Sequence, residues 1–148
     1  MKQALWCAAM LGALLLVPAP AGACSCTCKK LGDGGPRAMA KHSAAVFVGE
    51  AIQVIDPTET ERKHEYYGIG VKFRVERYWK GVKTREIVVH TRYTCCQIML
   101  NTGTKYLIYA AGSKLETGCT RTRQLDRADD DLKALGPGKA FDPVSTGQ

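Results

Sequence analysis

Ile69 to Trp79 reads Ile-Gly-Val-Lys-Phe-Arg-Val-Glu-Arg-Tyr-Trp. In an extended chain Ile69, Val71, Phe73 and Val75 fall on one side, and Gly70, Lys72, Arg74 and Glu76 on the other. One apolar and one polar face at a period of two is the mark of a half-buried strand. Upstream, Ala44 to Ile55 (AAVFVGEAIQVI) is rich in β-branched and aromatic residues and also reads as strand. The polar stretch between them, Asp56 to Gly68, reads as an exposed hairpin loop. Downstream, Gly81 turns the chain into a third strand, Glu86 to Thr91, and two more follow at Thr104 to Ala111 and Lys114 to Thr120. Pro36 suits the first turn of a short helix through Ala40. A second helix is expected over Asp126 to Leu135, with Asp126 as N-cap, Leu132 and Leu135 on one face, and Gly136 as the stop. Short strands with one or two small helices predict a mainly β fold, a compact five-stranded barrel with a sandwich as competitor.

The ends of the chain carry a different kind of signal. Lys2 followed by the uncharged run Ala4 to Val17, then Pro18, Pro20 and Ala21-Gly22-Ala23, reads as a signal peptide over residues 1–23. Cleavage after Ala23 makes Cys24 the first residue of an exported chain, extracellular or periplasmic. Ala-Gly-Ala-Cys also partly resembles a lipobox, which would anchor the protein through a lipid on the same Cys24. The two cuts give one first residue with opposite chemistry at its nitrogen. A single domain is expected over 24–136, and 137–148 reads as a flexible tail. No second apolar stretch approaches the ~20 residues of a membrane span.

The chain has seven cysteines, and Cys7 leaves with the signal. An even remainder in a small exported chain reads as a disulfide framework. Cys24, Cys26 and Cys28 are spaced by two, so in an extended segment they share a face; Cys95 and Cys96 are adjacent, so in a strand they oppose. Spacing alone does not choose among the pairings. Bridges from the first group to the others would close loops of roughly 70 to 95 residues, which the chain-entropy model values at ~4 kcal/mol each. A structural zinc site using these thiols with His42 or His90 is the rival, but no CxxC supports it.

Five stretches, taken in order, resemble a known family. They are Cys24-Ser25-Cys26 directly after the cut, Val46 to Glu50 (VFVGE), Val71 to Gly81 (VKFRVERYWKG), Cys96 with Gly103 and Tyr106 to Ala110 (YLIYA), and Thr117-Gly118-Cys119. Together they are similar to the tissue inhibitors of metalloproteinases and the wider netrin-like domains. The resemblance covers about Cys24 to Arg123. It implies a five-stranded OB-fold barrel whose amino terminus is stapled by disulfides Cys24–Cys96 and Cys26–Cys119, leaving Cys28 and Cys95 to pair with each other. The family's third cysteine has no counterpart around Pro36 to Ala40.

In that family the amino nitrogen and carbonyl oxygen of the first residue chelate the catalytic zinc of a target protease. The resemblance therefore implies a secreted metalloproteinase inhibitor in which Cys24 is the zinc-binding residue. Ser25 would enter the protease's specificity pocket, and Thr27, Tyr93 and Thr94 would widen the contact. One nitrogen and one oxygen of a single residue close a five-membered ring on the metal and displace the water that the protease needs as nucleophile. An α-amine with pKa ~7.7–8.0 is readily deprotonated near neutrality. The alternatives are a non-inhibitory extracellular netrin-like binding module and an envelope lipoprotein held by Cys24.

The remaining features are weaker. Lys plus Arg number 21 against 14 Asp plus Glu, a formal net charge of +7. With Lys29-Lys30, Arg62-Lys63 and Arg121/Arg123 this suggests attraction to an anionic polysaccharide or membrane surface; export argues against nucleic acid. Tyr66, Tyr67 and Tyr93 read as half-buried packing, Trp79 as a core or rim residue, and Asp129-Asp130-Asp131 as a favourable acidic first helical turn. His42, His64 and His90 form no metal motif or triad, and no phosphate loop, HExxH or supported carboxylate pair occurs. The expectation is a monomeric non-enzyme with no cofactor of its own, meeting zinc only in a bound protease.

Overall fold

The structure is a computed structural model and describes residues 34–63, 68–92 and 98–141. Its elements are α1 (Gly35–His42), β1 (Ala45–Ile55), the short α2 (Glu59–Arg62), β2 (Gly68–Lys80), β3 (Glu86–Arg92), β4 (Lys105–Ala110), β5 (Arg123–Gln124), a 3-10 turn (Leu125–Arg127), α3 (Asp129–Leu135) and β6 (Lys139–Ala140). The strands form one antiparallel six-stranded sheet in the order β3-β2-β1-β4-β5, with β6 beside β2. The mainly β expectation and the first four strands hold.

The sequence patterns follow from how each strand is covered. Val46, Phe47, Val48, Leu107, Ile108 and Tyr109 are all buried, so β1 and β4 have core on both faces and read as unbroken apolar runs. On one face Phe47, Val71, Phe73, Val75, Val89, Tyr106 and Ile108 form the main core. Phe73 meets Phe47 and Tyr106 edge-on, at ring separations of 5.7 and 6.1 Å. On the other face Val46, Val48, Leu107 and Tyr109 lie under Met39 of α1 and Leu132 and Leu135 of α3. β2 alternates because Arg74 and Glu76 stay exposed, beyond the reach of that helical layer.

Four expectations are corrected. Lys114 to Thr120 is not a strand, and the sheet path is not closed into a barrel: it runs open from β3 to β5. Leu115 and Cys119 have φ of 50° and 54°, left-handed values that interrupt extension, so only Glu116 makes bridges, to His90 and Ala111. Asp126 does not cap α3; it lies in the preceding 3-10 turn, and Ala128 occupies the cap without a side-chain bond. Finally, residues 137–141 belong to the fold. Lys139 and Ala140 pair with Tyr78 and Arg77, and Phe141 packs on the Tyr78 ring at 4.9 Å. The predicted helix near Pro36 and the stop at Gly136 (φ 79°, N–H to the Leu132 carbonyl) are observed. No helix among the described residues is long and apolar enough to cross a membrane.

Candidate functional site

The turn at residues 115–123 is where the sheet, α3 and a cysteine meet. Its backbone joins two strands that are not neighbours in the sheet. His90 N–H donates to the Leu115 carbonyl at 3.0 Å, and Thr117 N–H donates to the His90 carbonyl at 3.1 Å, a parallel contact with β3. Glu116 and Ala111 exchange two backbone bonds of 2.8 Å, an antiparallel contact just past β4. Beyond Thr117 the chain carries the exposed Cys119, which is disulfide-bonded.

Past Cys119 the turn is held by side chains acting as backbone. Thr122 Oγ1 accepts from the Tyr109 N–H at 2.9 Å and donates to the Tyr109 carbonyl at 3.2 Å, so it serves β4 as a strand residue would. Thr120 Oγ1 bonds Thr122 Oγ1 at 2.9 Å and the Thr117 carbonyl at 2.7 Å. Below lies a buried charge: Asp131, 0% exposed, takes Arg121 Nε at 2.9 Å and Nη2 at 2.6 Å, with Arg123 Nη1 at 3.9 Å. Burial pushes the Asp131 carboxyl up, but the hydrogen-bonded Arg121 guanidinium, with Arg123 and Tyr109, outweighs it and holds the group below its usual range. The Tyr109 hydroxyl faces this carboxylate without reaching strict hydrogen-bond geometry. Burial first, then Asp131, drives that phenol well above its ordinary value. Arg121 is raised in turn by its bond to Asp131.

Of the residues singled out from sequence, Cys24, Ser25, Cys26, Thr27, Cys28, Tyr93, Thr94, Cys95 and Cys96 lie outside the described residues, as do Lys29, Lys30, His64, Tyr66 and Tyr67. Cys119 is placed, in the turn described above. His90 supplies backbone to the turn, and His42 is exposed near the end of α1. Among the described residues no His, Cys, Asp and Glu group could hold a metal. Arg121, read as a free surface charge, is instead locked on Asp131. Asp131 was masked by its neighbours: Asp129 and Asp130 are exposed, and three consecutive acids look like one solvated turn. Only its place one helical turn before Leu135, which packs partly buried on the sheet, hinted otherwise. No protein-family model matches the chain, and no curated protein matches its sequence.

Proposed function

We propose that the exported chain is a metalloproteinase inhibitor of the netrin-like type, acting through a free amino-terminal Cys24 carried on an open, OB-like sheet. The observation that carries this is the parallel contact of His90 with Leu115 and Thr117. It runs the exit of β3, three residues before Tyr93, beside the turn that carries Cys119 two residues past Thr117. An inhibitor of this type needs that juxtaposition, so that bridges Cys24–Cys96 and Cys26–Cys119 hold Cys24, Ser25 and Thr27 against Tyr93 and Thr94. The bridges of Glu116 to β3 and to Ala111, just past β4, support an OB-like strand arrangement without a closed barrel, since one short segment touches two strands that are not neighbours in the sheet. Held so, the first residue would meet a protease zinc with little ordering cost.

The test compares the chain beginning at Cys24 with one carrying an added Ala before it, against a panel of zinc endopeptidases. Inhibition of at least one enzyme, weakened by about a hundredfold or more on extension, is expected because acylating the amine removes a zinc ligand. Equal inhibition by both forms, or none by either, overturns the proposal. So does an intact mass showing lipid on the Cys24 of the exported protein.

A further inference from the structure

Segments 34–43, 77–83 and 132–141 contain no Asp or Glu, and the fold brings them together at one end of the sheet. Arg37 Nε donates to the Ala134 carbonyl at 2.8 Å, tying α1 to α3. Lys80 Nζ donates to the Ala40 and Lys41 carbonyls at 3.3 and 2.9 Å. The Arg77 guanidinium lies 5.2 Å from the Trp79 ring centre, and the indole N–H donates to the Gly136 carbonyl at 3.0 Å. Arg37, Lys41, Arg77 and Lys80 thus gather from segments far apart in sequence, with Lys133 and Lys139 flanking them. Arg37, Lys41, Lys80, Lys133 and Lys139 are exposed. Among the described residues, Glu76 pairs Lys105 at 2.7 Å, and Asp129 lies one helical turn from Lys133.

We propose that this face binds an anionic polysaccharide, independently of the inhibitor reading. Several of its cations are held in place by helix carbonyls or the indole, so binding costs them less side-chain entropy than free lysines would lose. Guanidinium groups take sulfate or carboxylate oxygens in pairs, and lysines add point charges along a chain. A membrane fits less well. The large apolar side chains exposed among the described residues are Val54, Ile55 and Met99. Val54 and Ile55 lie near the far end of β1, opposite Val71 and Gly70, whereas Val46 opposes Lys80 at the basic end. Eleven residues of strand separate those ends by roughly 30 Å.

The probe is heparin, titrated into the chain beginning at Cys24 at physiological salt. Lys41→Glu/Arg77→Glu should weaken binding by about tenfold or more, and Lys63→Glu/Lys114→Glu, the same charge change on other exposed sites, by no more than about twofold. A thermal melt checks folding; should the first variant unfold, Lys41→Gln/Arg77→Gln replaces it with an expected loss of about threefold or more. Equal losses in the two variants would mean that only net charge matters, and absence of heparin binding would leave the face without this ligand; either overturns the proposal. So would tighter, equally variant-sensitive binding to phosphatidylglycerol vesicles, which would assign the face to a membrane. An added residue before Cys24 should leave heparin binding unchanged, which separates this test from the inhibitor test.

Discussion

At the scale of single residues, Asp131 is the sharpest case. Replacing it by Ala leaves Arg121 without its counter-ion and should destabilise the fold by about 3–5 kcal/mol, read by denaturant unfolding. Its depressed folded-state pKa fixes the sign of the pH dependence. The stabilising contribution is complete above the unfolded carboxylate value, ~3.9, and is lost as pH falls through the lower folded value. Acid unfolding of the native chain should therefore steepen below about pH 4, and that feature should vanish in Asp131→Asn. Thr122→Val keeps the shape but strips the Tyr109 N–H and carbonyl of their partner, an expected loss of about 1–3 kcal/mol. Gly81 has φ 68°, and a Cβ there would sit 1.9 Å from the Ala44 carbonyl oxygen. Gly81→Ala should cost about 3 kcal/mol, seen as a lowered melting temperature.

At the scale of elements, α3 is too short to persist alone and is held from outside. Arg37 and Trp79 take its last carbonyls, Asp131 pins its first turn, and Leu132 and Leu135 cover Val48 and Tyr109. Trp79→Phe keeps most of the packing and removes only the indole donor. It should cost about 1 kcal/mol and lower hydrogen-exchange protection in α3 more than in β1. The elements also divide by how far their sequences could be read. β2 announced itself because water covers one face and core the other. β1 and β4 did so because both faces are buried. The run at residues 114–120 has strand composition, yet left-handed Leu115 and Cys119 defeat it, and nothing in residue type alone foretells such dihedrals. β6 was invisible because two residues following Gly136-Pro137-Gly138 carry no period.

At the scale of the whole molecule, the charge that composition reports as a single number is sorted by the fold. Arg121 is neutralised by the buried Asp131, Lys72 and Lys105 sit beside Glu86 and Glu76, and Arg37, Lys41, Arg77 and Lys80 are left together. Arg62-Lys63, suggested by sequence adjacency, lies at the end of α2 and is not part of that face. The candidate site was legible only through its cysteines. The scaffold around Cys119 (a threonine side chain replacing a strand, an aspartate under the turn) depends on contacts between segments that no local pattern encodes.

The return of the chain at Lys139–Ala140 has a practical side. It occupies the edge of β2 that β3 leaves at Arg74, bonding Arg77 and Tyr78, with the Phe141 N–H donating to the Glu76 carbonyl at 3.3 Å. A protein trimmed after Gly136 would present that strip of backbone, together with the bared ring of Tyr78, to any other extended polypeptide. Such edges recruit further strands. The trimmed form should keep its melting profile at low concentration yet scatter light and form particles when concentrated, where the full chain stays dispersed.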